Sequence, residues 1–328
     1  MKKFISIGIA IIFLTQLNVS GQKNILRFNQ DGEFKIVQFT DTHLQNSVSE
    51  LVLQLIDEII EAERPDLVVI TGDIIVQDSV DNLVSGLAAI FKGKEVYWAV
   101  VFGNHDCEKG PNRKMLSRMY CSLPYNLNSS TGGIKGVTNF ILPIAGEKSK
   151  RQALLFFFDS NAYNPLKDGV KGSYGWIDFS QIQWYRNRSA FYTRKNNGTP
   201  LPSLSFFHIP LPEYEILWEN DSASCIGSKH EEISCPPVNS GMYTAMLECG
   251  DIFGMFVGHD HINDYIGILN GIALAYGRFS GANNTYGHLT PGARVIVLKE
   301  GRREFDTWIR EKGGNIVYRC RYPESFIP

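Results

Sequence analysis

The sequence has almost no net charge: 32 Lys and Arg face 34 Asp and Glu, a formal balance of -2 at pH 7. Without a basic field, nothing holds a nucleic-acid backbone or an anionic membrane by bulk attraction. Any phosphate chemistry must therefore come from a local site. Also missing are a Pro/Ser/Gly linker, a charge block, a low-complexity tract and an internal repeat, so the 328 residues read as one domain. The apolar run Phe4 to Leu17 is shorter than the roughly 20 residues a spanning helix needs, so no stable membrane anchor is expected. None of the six cysteines shows CxxC spacing, which disfavours a structural zinc or a thioredoxin-type role.

What is present begins with an export pattern. Met1-Lys2-Lys3 is a basic start, the apolar run follows, and Val19-Ser20-Gly21 supplies small residues for cleavage. The reading is a signal peptide over residues 1–21 and a mature chain over 22–328, periplasmic or secreted. No Cys follows the run, so lipid anchoring is not expected. In an oxidising compartment six cysteines allow up to three disulfides. Cys225 with Cys235 and Cys107 with Cys121 are the short-loop pairs, the first ranked highest, and they leave Cys249 with Cys320. Free buried thiols are the alternative.

Along the mature chain, β-branched apolar runs alternate with helical-period stretches, the pattern of an α/β protein. Where those runs end matters more than where they begin. The run at 34–40 delivers Asp41-Thr42-His43, the run at 66–71 delivers Gly72-Asp73, and the run at 96–102 delivers Gly103-Asn104-His105-Asp106. Two later runs, 203–207 and 252–257, deliver His208 and Gly258-His259-Asp260-His261. Helices predicted over 48–63 and 80–91 supply the crossovers that parallel strands require.

Side chains at the carboxyl ends of neighbouring strands converge on one rim of a sheet. Asp41, His43, Asp73, Asn104, His105, His208, His259 and His261 would share that rim. Hard oxygen donors mixed with imidazoles, and no thiolate, suit Zn, Mn or Fe. The set exceeds what one tetrahedral ion can use and suffices for two ions sharing a carboxylate, an arrangement that clamps both oxygens in phosphate-ester hydrolysis. The glycines before Asp73, Asn104 and His259 fit tight turns.

In this order, DxH, GD, GNHD, a single His and GHxH, the chain resembles the calcineurin-like metallophosphoesterases over residues 41 to 261. The stretches GEFKIVQFTDTH, RPDLVVITGD, FFHIPLPEY, NSGMYTAM and VGHDHINDYIG look like the purple-acid-phosphatase-like branch. The resemblance implies a four-layer α-β-β-α sandwich, two packed mixed sheets flanked by helices. It implies that Asp41, His43, Asp73 and His261 hold one ion and that Asp73, Asn104, His208 and His259 hold the other. A hydroxide bridging the two would attack phosphorus in line, with phosphomonoesters as substrates and phosphodiesters or nucleotides as the alternative. A non-catalytic binding module on the same fold is the remaining reading, although no ligand position is lost. His105 matches the position that stabilises phosphoryl oxygens or protonates the leaving group, and Asp106 the position that orients that imidazole. True purple acid phosphatases carry a metal-bound Tyr where this chain has Val76 and lack the His of DxH, here His43, so a tyrosinate-to-iron band is not expected.

Outside these motifs, Arg278 offers a guanidinium to a substrate phosphate or is a solvated surface residue. His288 is a candidate for the same rim or a plain loop residue. His230 reads as solvated. Trp184 and Tyr185 sit on a helix predicted over 177–194, as core. The loops at 107–136 and 218–240 are long enough to wall the site.

Overall fold

The computed structural model describes residues 26–77, 80–146, 150–166, 172–220, 223–282 and 289–327. The expected export signal and His288 lie outside that set. Among the described residues the chain forms two mixed sheets, with strands numbered along the sequence. One sheet runs β14 (Ile316–Tyr322), β13 (Phe305–Glu311), β12 (Gly292–Lys299), β2 (Glu33–Phe39), β3 (Leu67–Thr71), β4 (Tyr97–Val101). The other runs β1 (Leu26–Arg27), β5 (Phe140–Ala145), β6 (Arg151–Phe157), β7 (Ser203–Phe206), β9 (Ile252–Val257), β11 (Ile272–Tyr276), β10 (Ile266–Leu269), β8 (Cys225–Ile226).

Each sheet has a parallel block, reaching one edge of the six-stranded sheet and central in the eight-stranded one. β2, β3 and β4 run parallel with Val68 opposite both Val37 and Trp98, and β6, β7, β9 and β11 run parallel. Helices α1 (Ser49–Glu63) and α2 (Val80–Gly93) make the crossovers between β2, β3 and β4. α1 buries Val52, Leu55, Ile56, Ile59 and Ile60, a stripe at three- and four-residue spacing that can face only one way.

The period of two along each strand separates the layers. On β2, Val37 and Phe39 pack on α1 and α2, whereas Ile36 packs with Leu67, Leu155, Phe157 and Phe206 between the sheets. On β6, Leu154 and Phe156 turn outward to Trp184, Tyr185 and Met246 of α4 (Phe179–Lys195) and α6 (Met242–Cys249). The result is the four-layer sandwich. α4 starts at a capping box in which Asp178 and Gln181 satisfy each other's end of the first turn. The two sheets are tied just below the functional rim by Gln38, whose buried amide donates to Thr71 Oγ1 at 2.9 Å and to the Val257 carbonyl at 3.0 Å.

The cysteine pairing is corrected by the fold: all six are free thiols. Cys249 lies with the helices outside the eight-stranded sheet, while Cys320 is buried between the two sheets, so a sheet separates them. Cys225 lies over Gly267, where a Cβ would stand 2.8 Å from its sulfur. Cys107 sits in the turn after Asn104 and Cys121 at the exposed end of α3 (Arg113–Cys121), a helix within the segment 107–136.

Candidate metal centre

The strand ends deliver their side chains to one rim where the two sheets meet. Two groups form there: Asp41, His43 and His261, and Asp73, His208 and His259, with ligand atoms in each within 4.8 Å of one another. All six residues are buried. Asp73 stands between the groups: its Oδ2 lies 3.7 Å from His43 Nε2 of the first and 3.2 Å from His208 Nε2 of the second.

Local backbone makes this convergence possible. Asp41, His43, Asp73 and His259 all have positive φ, at 52°, 43°, 50° and 80°, a left-handed region that costs an L-residue roughly 1–2 kcal/mol. Residues are held there only when the surroundings over-determine them, which is characteristic of functional sites. Glycine is required beside them. A Cβ on Gly103 would stand 2.0 Å from Asp73 Oδ1, and one on Gly72, itself at φ 94°, would stand 2.5 Å from the His208 ring.

The candidate ligands Asp41, His208 and Asp73 are each held from behind. Asp41 Oδ2 accepts from Thr40 Oγ1 at 2.6 Å and from the His259 amide at 3.0 Å, leaving Oδ1 to face His261 Nε2 at 3.5 Å. His208 Nδ1 lies 2.7 Å from the Thr71 carbonyl, so it carries the proton and Nε2 faces Asp73. Asp73 Oδ1 accepts the His105 amide at 2.8 Å.

Electrostatics follow from crowding. Burial alone would raise Asp41, but the hydrogen bond and charge of His261 and the charge of His208 outweigh it and hold the carboxyl at about 2. Asp73 is likewise held well below the usual carboxylate range, burial being outweighed by His208 and His43. His208 is raised to about 9 because Asp73 more than offsets its burial, and His259 is pushed down to about 3 by burial and then by the charge of His208. The rim is thus two ionised carboxylates facing imidazoles. Asn104 Oδ1 and His259 Nε2 are buried with no hydrogen-bond partner among the described residues. Buried polar atoms are normally paired, and a donor set of carboxylate, imidazole and amide oxygen fits hard or borderline divalent ions.

His105 stands at the mouth, its side chain 38% exposed and its Nε2 4.0 Å from Asp73 Oδ2. The assignment of Asp106 as its orienting group is overturned. Asp106 turns away and accepts backbone N–H groups from Asp73 (3.0 Å), Ile74 (2.7 Å), Ile75 (3.3 Å) and Gly103 (2.7 Å), clamping the GD turn to the GNHD turn. The His105 ring instead meets Glu108, with Nδ1 2.8 Å from Oε2. Three residues apart across a 3-10 turn, the two side chains eclipse, so the spacing in HDCE was the available signal. Tyr163 and Tyr174 were not legible: they come from the segment after β6, Tyr163 hydrogen-bonded to Glu108 and Tyr174 edge-on to His259 with ring centroids 4.3 Å apart.

Arg278 is neither a phosphate ligand nor a surface residue. It is buried, paired with Asp264 at 2.5 Å and Glu311 at 3.1 Å, and donates to the Thr290 carbonyl. His230 is exposed. Of the two long segments, 107–136 returns to the rim through Arg113, which bonds the Gly103 carbonyl at 2.7 Å and Asp159 at 2.5 Å. The segment 218–240 packs on the GHDH turn, Glu231 accepting the Ile262 amide and Asp260 the Ser234 amide.

A model of the calcineurin-like phosphoesterase family matches residues 34–263. A relative from Arabidopsis thaliana named probable inactive purple acid phosphatase 29 is 31% identical, covering 92% of this chain and 86% of its own. Phosphatase DCR2 of Saccharomyces cerevisiae is 30% identical over 88% of this chain and 55% of its own. Among solved structures, a dimetal phosphatase from Danio rerio shares the fold with a TM-score of 0.58 at 14% identity, over 88% of this chain and 98% of its own.

Proposed function

Since this chain belongs to the calcineurin-like phosphoesterase family, we propose that it is an exported, two-metal phosphoesterase that hydrolyses phosphomonoesters of small molecules. The observation that carries the reading is Asp73 Oδ2, set between two ligand groups at 3.7 and 3.2 Å from their imidazoles. In this reading Asp41, His43, Asp73 and His261 hold one ion, and Asp73, Asn104, His208 and His259 hold the other, Zn, Mn or Fe. When bound, such ions supply a water-derived nucleophile near neutral pH and neutralise charge on the phosphoryl group.

The chain's own residues do the rest. Asp41 and Asp73 provide carboxylates that stay ionised because the surrounding imidazoles outweigh their burial. The His208 Nδ1 proton, fixed on the Thr71 carbonyl, keeps Nε2 turned into the site. His105 Nε2, at the open edge, is placed to hold a proton against the leaving oxygen or to contact a phosphoryl oxygen. Tyr174 closes the side next to His259.

The plant relative's name says probable inactive, and against that stands a complete set of ligand positions here. Export rests on residues 1–21, outside the described set; among the described residues no helix is long and apolar enough to cross a membrane. The test is metal content by elemental analysis with turnover on a panel of phosphomonoesters, phosphodiesters and nucleotides. Two ions per chain and fastest turnover on monoesters are expected. Two ions with no turnover on any panel member would overturn the enzyme reading in favour of a binding module. Faster turnover on diesters would overturn the monoester preference.

A further inference from the structure

The edge of the centre carries a chain of contacts that the ligand set does not account for. His105 Nδ1 lies 2.8 Å from Glu108 Oε2. The other carboxylate oxygen, Oε1, accepts the Tyr163 hydroxyl. An acid and a phenol, 55 residues apart, thus stand behind the catalytic candidate His105.

We propose that Glu108 and Tyr163 form a positioning bridge for the site: Tyr163 anchors the Glu108 carboxylate, and Glu108 fixes the rotation and tautomer of His105. This rests on the phosphoesterase reading above and deepens it. The chemistry of each contact is directional. A carboxylate can only accept, so the facing imidazole nitrogen must carry its proton on Nδ1, and Nε2 is the atom left toward Asp73 and the rim. Tying Oε1 to the Tyr163 hydroxyl leaves Oε2 for the His105 ring.

The bridge differs from a purely structural contact in where its loss is felt. Glu108 and Tyr163 are 41% and 44% exposed, on the surface side of the rim, and neither belongs to a core cluster. Groups that orient ligands and catalytic side chains are worth roughly 10-fold to 100-fold in affinity or activity. Solvent access places this pair at the lower end.

The experiment compares wild type with Glu108→Gln, Tyr163→Phe, His105→Ala and the double variant His105→Ala/Glu108→Gln. It uses alkyl and nitrophenyl phosphates together with calorimetric titration of Zn or Mn into metal-free protein. Glu108→Gln should keep both ions and KM and lose about tenfold in kcat, more for the alkyl leaving group, which needs its proton. In the His105→Ala background the same change should do nothing further. Tyr163→Phe, which frees the far oxygen of Glu108, should keep both ions and lose less turnover than Glu108→Gln does. Unchanged kcat in Glu108→Gln, or an equal loss with and without His105, would overturn the role of Glu108. A kcat in Tyr163→Phe equal to that of wild type would overturn that of Tyr163. A wild type that binds two ions and turns over no substrate would instead refute the phosphoesterase reading, and this proposal with it.

Discussion

Replacing Asp106 by Asn separates two roles that a GNHD motif leaves mixed. In one, the carboxylate holds the catalytic imidazole; in the other, it holds the backbone. The four amides it accepts come from Asp73, Ile74, Ile75 and Gly103, two on each oxygen. An Asn keeps one oxygen and sets an NH2 against the remaining two donors. At about 1.5 kcal/mol for each lost bond to a charged acceptor, the cost is about 3 kcal/mol. For a chain of this length that corresponds to a fall in Tm of roughly 4–5 °C. Because Asp73 sits on the released turn, its carboxylate should lose register with both ligand groups, so metal content should fall in the same variant. Calorimetric unfolding of the metal-loaded protein, with elemental analysis of the same sample, measures both. If Asp106→Asn kept its Tm and both ions and lost only turnover, the backbone-clamp reasoning would fail and Asp106 would have to act on His105 in solution.

Four further outcomes are expected. Asp73→Asn should lose at least one ion and most activity, while Asp306→Asn, on the far strand β13, should keep both; equal metal content in Asp73→Asn and wild type would refute the shared carboxylate. His105→Ala should keep both ions and lose roughly 10²-fold to 10⁴-fold in turnover, and loss of metal instead would make His105 a ligand. Thiol titration should find six reactive groups after denaturation and, before it, one fast thiol at the exposed Cys121 with slow reaction of the others, since burial pushes Cys107 up to about 12 and Cys225, Cys235 and Cys320 to about 11; fewer than six would restore a disulfide. Asp251, buried beside Tyr185, has its pKa raised above 3.8 chiefly by burial. A folded pKa above the unfolded one means its contribution is fully present below about 4 and is lost as pH rises through the raised value. Chemical denaturation from pH 4 upward should therefore show a decline that Asp251→Asn removes, and an identical slope in both proteins would contradict the shift.

The α/β alternation and the rim of strand ends were legible because both rest on short-range signals, while the four-layer sandwich came from the family resemblance. Strand ends were readable where an apolar run stops at Asp41, Asp73, Asn104 or His259, since a buried strand and a polar turn differ in composition within a few residues. The crossover helix at Ser49–Glu63 shows its period directly. What escaped depends on direction or on distance along the chain. Asp106 beside His105 says nothing of which way its carboxylate turns; the two tight turns that face it with four N–H groups decide that. Glu108 was within reach had the HDCE segment been taken as a 3-10 turn. Tyr163 was not, because its partner is 55 residues away and no local pattern joins them. Arg278 was misjudged from its loop setting: Asp264 and Glu311, which bury and neutralise it, come from separate parts of the chain. The cysteines were paired by loop length, which carries no information about the sheet lying between Cys249 and Cys320.

The left-handed backbone at Asp41, His43, Asp73 and His259 bears on how this chain can be improved or can decay. At each of the four, glycine would adopt the same φ with roughly 1–2 kcal/mol less steric strain, partly offset by its larger loss of chain entropy on folding. A screen that rewards heat resistance alone therefore has an incentive to erode the rim, trading ligands for relaxed turns while both sheets stay intact. Drift without selection for catalysis would run the same way, toward a well-folded sandwich with a blunted edge. Keeping side chains at these four positions is a standing burden on the fold, and in the phosphoesterase reading it is offset by work done at the rim.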